Sequence, residues 1–459
     1  MKKIRVFFAI LAGKAVKLFC RIVRKGGTAM PGRFALKIYP GLLKELAGEV
    51  KTVTVTGTNG KTTCCRMVEE AFSQAGLDYF ANRSGANLDI GIATDFISNC
   101  TLGGRMKKHY AVIECDEGAA RKVFGQLQPT VILVTNLFND QLDRFGTVKN
   151  TLQAIRDGIK GAPGAVLCLN ADEPLSASLA DNVPNKAVFY GLESSAVKES
   201  TPAPDSDEAK CVVCGSAYDY SYVSLAHLGG FCCPSCGYSR RAADYAVTAI
   251  LDEGFDSSTV TLRCPDGVKE LNVNLPARYN IYNAAATVAA AVAAGIDSEA
   301  ALRAPAVFQC GFGRMERFSL GKAGARMILV KNTAGINQVI HFISGIQTRY
   351  SLSLCCNNRV SDGTDFSWIN DAEFERLSEN AERIKHIFVS GDRIRQAKER
   401  LLNAGFSADI IFEEPDYDKL FDRLSEEDVP VYIMPTYTAM IEFRDVLIKR
   451  LGGTQFFAL

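Results

Sequence analysis

Two clusters of residues in this 459-residue chain have types and spacing that could do chemistry. The first is Gly57, Thr58, Asn59, Gly60, Lys61 and Thr62, followed by Thr63. Glycines let backbone amides close around phosphate oxygens, and a helix that starts at the loop adds a favourable dipole. In such a loop Lys61 neutralises the β- and γ-phosphates of a nucleotide, and the Thr62 hydroxyl ligates Mg²⁺. The general pattern G-x-x-x-x-G-K-[ST] places a glycine where this chain has Val55, so the loop is a shorter variant. The second cluster is Cys211, Cys214, Cys233 and Cys236, in the frame C-x₂-C-x₁₈-C-x₂-C, with Gly215 and Gly237 after each pair. That is the spacing of a Cys₄ zinc ribbon, whose two knuckles bring four thiolates to one Zn²⁺. A closed site of this kind is structural, and it staples an insert too small for a core of its own. A redox pair is the alternative chemistry for such thiols. Cys232 lies one residue outside the frame.

The elements that must position these residues follow from pattern. Residues 51–56 alternate polar and apolar with β-branched side chains, so a strand leads into the loop. Apolar residues at helical spacing from Lys61 to about Ala75 predict the helix that follows, with Gly76 as its stop. Further strands are expected at Tyr110–Cys115, Thr130–Thr135 and Ala165–Leu169, alternating with helices, which argues for a parallel α/β sheet. The polar stretch from Glu199 to Lys210 reads as a linker. Strands resume at Val260–Cys264 and Leu271–Leu275, and an alanine-rich helix runs from about Ile281 to Ala294. Past Gly311 a second series predicts strands at Met327–Val330, Ser351–Cys355, His386–Val389, Asp409–Phe412 and Pro430–Met434, a second α/β domain with a doubly wound look.

Composition narrows the class. The hydrophobic share of 47% and charged share of 22% are those of a globular protein long enough to bury real cores. A net charge of +1 makes no case for nucleic acid. Tyr218, Tyr220 and Tyr222 could stack bases, but residues 211–236 contain no Lys or Arg, and phosphate contacts dominate nucleic-acid affinity. Fifteen cysteines do not make a disulfide scaffold here; Cys64, Cys65, Cys168 and Cys355 sit in apolar runs as small core residues. The N-terminus is a basic amphipathic helix, with Lys2, Lys3, Arg5, Lys14, Lys17 and Arg21 among Leu18, Phe19 and Ile22. It is too short and too charged to span a bilayer. It packs on the next domain or also touches an anionic membrane surface.

The loop Thr-Gly-Thr-Asn-Gly-Lys-Thr resembles that of the Mur ligase and folylpolyglutamate synthase superfamily. Other segments fit in the same order: Glu114 at a strand end, Leu169-Asn170-Ala171-Asp172-Glu173-Pro174, Tyr279-Asn280-Ile281-Tyr282-Asn283-Ala284 and Gly313-Arg314-Met315-Glu316. The resemblance implies a second Mg²⁺ ligand at Glu114, an adenine-side helix opened by Asn280 and Asn283, and an arginine, Arg314, brought to the phosphates. It also implies amide-bond formation through an acyl phosphate. Those ligases carry a UDP-gripping domain before the loop. Only about 50 residues precede the loop here, so the acceptor carboxylate must be presented in another way.

The Cys₄ insert without a UDP domain resembles one branch, the MurT family of synthetase subunits of bacterial lipid II isoglutaminyl synthases. Further strings carry that likeness: Phe138 to Gly146, His227-Leu228-Gly229-Gly230, Lys331 to Asn337, Asp362 to Ile369 and Pro435-Thr436-Tyr437-Thr438. The resemblance implies ATP-dependent amidation of the D-isoglutamate α-carboxylate in the lipid II stem peptide. Ammonia would come from a separate glutaminase subunit, GatD, docked on the C-terminal domain, with Asp365 supporting its Cys–His pair. An amino-acid-adding ligase of the same superfamily is the alternative. Asn358 and Thr333 stand where the family usually has Asp and Pro, which bears on the glutaminase interface or the acyl-phosphate pocket. The domains expected are residues 1–50 (helical, basic), 51–305 (ATP-binding, ribbon insert about 207–240) and 306–459 (α/β, glutaminase-docking). The expected location is the cytoplasm, at the inner membrane face.

Overall fold

A computed structural model describes residues 2–23, 27–83, 85–138, 148–197, 209–254, 256–309, 311, 313–363 and 365–452. The chain forms two compact units, the first built from residues up to 308 and the second from 309 onward, with the short segment 275–277 assigned to the second.

The first unit is built on nine strands. They are β1 (Lys51–Thr56), β2 (Tyr79–Ala81), β3 (Tyr110–Glu114), β4 (Val131–Val134), β5 (Val166–Asn170), β6 (Ala187–Leu192), β9 (Tyr245–Glu253), β10 (Ser258–Cys264) and β11 (Gly267–Val273). A separate ribbon pairs β7 (Asp219–Leu225) with β8 (Leu228–Cys232). The order is β11-β10-β9-β6-β5-β4-β1-β3-β2. From β2 to β9 neighbours are parallel, but β9-β10-β11 is antiparallel. The parallel sheet expected from the alternation is therefore mixed. The reason is connection length: Cys264 faces Gly267 across a two-residue turn, Pro265-Asp266, and a parallel pair needs a crossover of a dozen residues or more. β1, β4 and β5 are buried almost throughout, as strands covered on both faces must be.

The N-terminal helices Lys2–Ile22, Met30–Ile38 and Leu42–Ala47 belong to this unit. Ala9, Ile10, Ala35, Leu42, Leu43 and Leu46 share one core with Ile92, Phe96 and Ile113. Cys211, Tyr218, Phe231 and Cys233 of the ribbon segment join the same core. The helix Arg278–Ala293 is buried on nearly every side, which its run of alanines permits by letting neighbours approach closely.

The second unit has six strands, β12 (Arg314–Phe318), β13 (Ala325–Ile328), β14 (Tyr350–Cys355), β15 (Ile384–Ser390), β16 (Ile411–Glu413) and β17 (Val431–Pro435), in the order β12-β13-β17-β14-β15-β16. Only β12 is antiparallel to its neighbour. Met327, Cys355, Phe388, Val431 and Ile433 pack against Leu420, Leu424, Phe443 and Leu447 of the helices Tyr417–Ser425 and Tyr437–Leu451. Glu316 receives Arg444 at 2.8 Å, with both side chains nearly buried.

Candidate active site

The phosphate loop leaves β1 and enters the helix Lys61–Gln74. Two positions in it demand glycine. Gly57 has φ +118°, and a Cβ there would strike Thr135 Oγ1 and lie 2.9 Å from Asn136 O. Gly60 has φ +84°, and a Cβ would strike Asn283 Oδ1. The loop is bracketed from β4: Thr58 N donates to Asn136 O at 2.7 Å, and Asn59 N donates to Asn136 Oδ1 at 3.0 Å. Phe138 N donates to Thr58 Oγ1 at 3.1 Å.

Lys61 folds back over this loop. Its Nζ donates to Gly57 O, to Thr58 O at 3.3 Å and to Glu117 Oε1 at 2.8 Å. The Lys61–Glu117 pair is largely withdrawn from solvent, so the loop holds its cation ready at the place where phosphate oxygens would replace these acceptors. Thr62 Oγ1 donates to Glu114 Oε2 at 2.7 Å. Asn82 braces the backbone of Glu114 from both sides: its Nδ2 donates to Glu114 O and its Oδ1 accepts from Glu114 N, each at 2.8 Å. A hydroxyl and a carboxylate converging beside a phosphate loop are the hard oxygen donors that Mg²⁺ takes, so this donor set fits the ion. Thr63 is buried on the inner side of the helix.

Asn283 and Asn280 stand one turn apart in the helix Arg278–Ala293, joined by an Nδ2-to-Oδ1 hydrogen bond of 3.2 Å. Asn283 Oδ1 also lies against Gly60 and accepts from the Cys64 thiol at 3.4 Å. Burial pushes that thiol far above its usual range, so Cys64 is a packing residue and not a nucleophile. Arg314 opens β12 in the second unit.

Behind the loop, two motifs that look separate in the chain form one network. Asp172 Oδ2 accepts from the Tyr282 phenol at 2.6 Å and from Leu192 N at 2.8 Å, and its Oδ1 accepts from Arg240 Nε at 2.7 Å. Burial raises the Asp172 pKa, and Arg240 and Tyr282 pull against that rise. Next to it, Glu173 caps the short helix at 174–177 through Leu175 N and Ser176 N, and lies 3.3 Å from His227 Nε2.

The four cysteines come together: the sulfurs of Cys211, Cys214, Cys233 and Cys236 all lie within 4.8 Å of one another. Cys211 and Cys236 are 3.5 Å apart, and Cys214 and Cys233 are 3.4 Å apart, with no disulfide. The two knuckles repeat each other. Gly215 N donates to Cys211 O at 2.8 Å and Gly237 N to Cys233 O at 2.9 Å, at φ +78° and +77°. Four thiolates around a zinc at ~2.3 Å would stand ~3.8 Å apart, so the donor set fits Zn²⁺.

In the second unit Asp365 is exposed; its Oδ1 accepts from Ser367 N at 2.8 Å, and hydrogen bonding from the Ser367 side chain and backbone holds its carboxyl below the usual range. It therefore caps the turn into Ser367-Trp368. The preceding Asp362 is buried and ties this loop to the last helix: its Oδ1 accepts from Thr438 N at 2.7 Å, and its Oδ2 from Thr438 Oγ1 at 2.6 Å and Arg359 N at 2.9 Å. Asn332 caps the helix Thr333–Ser344 through Gly335 N at 2.7 Å, and Thr333 Oγ1 donates to Trp368 O at 3.2 Å. Asn139 to Gly146, within one of the resembling strings, lies outside the described residues, as does most of the expected linker.

Sequence reasoning passed over Glu117, Asn82, Arg240 and the role of Asn136. Glu117 stands three residues after Glu114, a spacing that could have flagged it; Asn82 and Arg240 had no local signal.

Comparison with known proteins adds the following. The family model for the Mur ligase middle domain matches residues 55–232, and that for the MurT ligase C-terminal matches residues 329–440. Over 448 residues, 97% of this chain and 98% of the relative, the sequence is 32% identical to the lipid II isoglutaminyl synthase (glutamine-hydrolyzing) subunit MurT of Streptococcus pneumoniae. It is 29% identical over 453 residues, 98% of this chain and 100% of the relative, to the protein of the same name in Staphylococcus aureus. Among solved structures, a pseudomurein peptide ligase type C from Methanothermus fervidus superposes with a TM-score of 0.65 at 20% identity, covering 88% of this chain and 79% of that one. MurF from Acinetobacter baumannii superposes with 0.65 at 17% identity, covering 90% and 80%. These structural likenesses carry the fold alone.

Proposed function

The chain belongs to the MurT family, the subunits of lipid II isoglutaminyl synthase, and we propose that it is the ATP-dependent ligase that amidates the D-isoglutamate α-carboxylate of the lipid II stem peptide. The observation that carries the reading is the convergence of Lys61, Thr62 and Glu114 at a phosphate loop, in a chain that matches MurT proteins over nearly its whole length.

The reaction has two steps. A carboxylate oxygen of the acceptor attacks the γ-phosphorus of ATP, and ADP leaves. Ammonia then attacks the acyl carbon; the C–O bond to phosphate breaks, inorganic phosphate departs with that bond's electron pair, and the nitrogen gives up one proton to leave the neutral amide. In the first step the loop amides and Lys61 bind and neutralise the phosphates. Thr62 and Glu114 would hold Mg²⁺, which supplies charge neutralisation across the transferring phosphoryl group. Asn283 and Asn280 set the helix that borders Gly60 and serve the nucleotide's base side. Cys211, Cys214, Cys233 and Cys236 hold a structural zinc.

Residues 51–305 form the ATP-binding part and 306–459 the part that docks a partner. The relatives are named as subunits, so a complex is expected. The partner's chemistry is that of a GatD-like glutaminase that supplies ammonia and places its Cys–His pair beside Asp365. ATP and a lipid-linked acceptor meet at the inner face of the membrane, which places the enzyme in the cytoplasm against that face. No described helix is long and apolar enough to cross a membrane.

The test is an amidation assay with lipid II, ATP, Mg²⁺ and ammonium chloride, read by mass spectrometry. Conversion of carboxylate to carboxamide with ADP release supports the reading. No amide product from ammonium, with an amino acid joined to the acceptor when one is added to the same mixture, would overturn it in favour of a peptide-type ligase.

A further inference from the structure

The first 41 residues contain ten Lys and Arg and no Asp or Glu, in a chain whose net charge is only +1, so the remainder is acidic overall. Within this segment the helix Lys2–Ile22 is apolar on two opposite sides. One side, centred on Ala9, Ile10, Gly13 and Cys20, is buried against the first unit. The other carries Ile4, Phe8, Leu11, Leu18, Phe19 and Ile22, which at 100° per residue share an arc of about 100° and form one stripe along the helix. These side chains are 41–71% exposed. The next helix repeats the pattern at Met30, Phe34 and Ile38, all exposed.

Folding ordinarily buries one apolar stripe of a helix, and a second, contiguous one left in water marks an interaction surface. Charge identifies its occupant. Lys3, Lys14 and Arg21 fall along one edge of the stripe and Arg5 along the other, and Arg33 and Lys37 accompany the second helix. Some of these cations also hold the helix in place: Lys14 Nζ donates to Ile97 O and Cys100 O at 2.8 Å, and Arg5 Nη2 to Ile38 O at 3.4 Å. Lys3, Arg21, Arg33 and Lys37 are exposed. An apolar strip with a basic rim matches the acyl–headgroup boundary of an anionic bilayer, where a helix lies in the plane ~5–10 Å deep. A second copy of the chain fits poorly, because a two-fold pairing would set two such basic rims against each other.

We propose that the exposed stripe of helix Lys2–Ile22, with Met30, Phe34 and Ile38, seats the protein on an anionic lipid surface. The proposal stands on these helices alone, and its failure would leave the amidation reading intact.

The test is flotation of the full chain with vesicles of phosphatidylglycerol and phosphatidylcholine, against phosphatidylcholine alone. The wild type is expected to bind the anionic vesicles at least ten-fold more strongly than the neutral ones, and high salt weakens that preference. The variant Phe8→Glu/Leu18→Glu/Phe19→Glu alters only exposed positions, so it should keep the wild-type Tm and lose at least ten-fold in binding. A second variant, Phe19→Trp, should show a blue-shifted emission on adding anionic vesicles. Equal binding of the triple variant and wild type overturns the proposal. So does absence of binding to anionic vesicles, including the case in which the wild type is a dimer that the triple variant dissolves.

Discussion

The phenol of Tyr282 donates a 2.6 Å hydrogen bond to Asp172, 110 residues earlier in the chain. Arg240, which follows the ribbon, closes on the other oxygen of the same carboxylate at 2.7 Å. One buried carboxylate thus ties the helix behind the phosphate loop to the end of the cysteine insert. Removing one member of a buried charged pair leaves the other uncompensated, at a cost of roughly 3–5 kcal/mol. Asp172→Ala should therefore lower the unfolding free energy by about that amount, and Tyr282→Phe by ~1–2 kcal/mol. Denaturant unfolding measures both, and a Tyr282→Phe cost equal to that of Asp172→Ala would contradict this ranking.

The phosphate loop offers a prediction about Glu117. Its carboxylate holds Lys61 at 2.8 Å and would compete with phosphate oxygens for the same cation. Lys61→Ala should reduce amidation by ~10²-fold or more with little change in Tm. Glu117→Gln should strengthen ATP binding a few-fold, on the scale of ~1 kcal/mol for one competing hydrogen bond removed. Isothermal titration with ATP reads this directly, and weaker binding by the variant would mean that Glu117 serves the nucleotide instead of competing with it.

For the four cysteines, protein purified without chelator should carry about one zinc per chain, as a single tetrahedral site requires. Cys233→Ser should lose the metal and lower the Tm, because Cys233 also lies in the main core of the first unit. Metal analysis of both proteins decides the matter: a wild type without zinc refutes the assignment.

A pH dependence arises at the helix Asp89–Ser98, where Asp95 faces Lys17 of the N-terminal helix. Burial raises the Asp95 carboxyl to about 7, with Lys17 opposing the rise, and Asp95 Oδ2 has no hydrogen-bond partner. A carboxyl whose folded pKa lies above its unfolded value binds its proton more tightly when folded. Its contribution to stability is complete below the unfolded value near 3.8 and is lost as pH rises through about 7. Asp95→Asn should therefore stabilise the protein more at pH 8 than at pH 5, by on the order of 1–2 kcal/mol after discounting for partial exposure. Equal gains at the two pH values would refute it.

Asp365 gives the last prediction, which rests on the family likeness. Its carboxylate is exposed and held by Ser367, so it is placed to meet another chain. Asp365→Asn should leave ammonia-driven amidation unchanged and abolish the glutamine-driven reaction in the assembled complex. If ammonium chloride fails to restore activity, Asp365 belongs to the synthetase chemistry instead.

What the chain alone determined is local. A strand, a glycine-bearing turn and a helix in sequence fix where Gly57, Gly60, Lys61 and Thr62 must lie, because dihedral and dipole requirements act within a few residues. The cysteine frame is local in the same sense, as each knuckle is a four-residue turn closed by a glycine at positive φ. The tertiary structure decided what depends on distant partners: Glu117 on Lys61, Asn136 on Asn59 and Asp172 on Tyr282 are 56, 77 and 110 residues apart, and no periodicity encodes such pairs. It also decided the mixed sheet, because β9 was hidden in a segment without clear alternation. On the N-terminal helix the periodicity announced apolar and basic residues, but packing alone selected which apolar side was buried and which was left facing water.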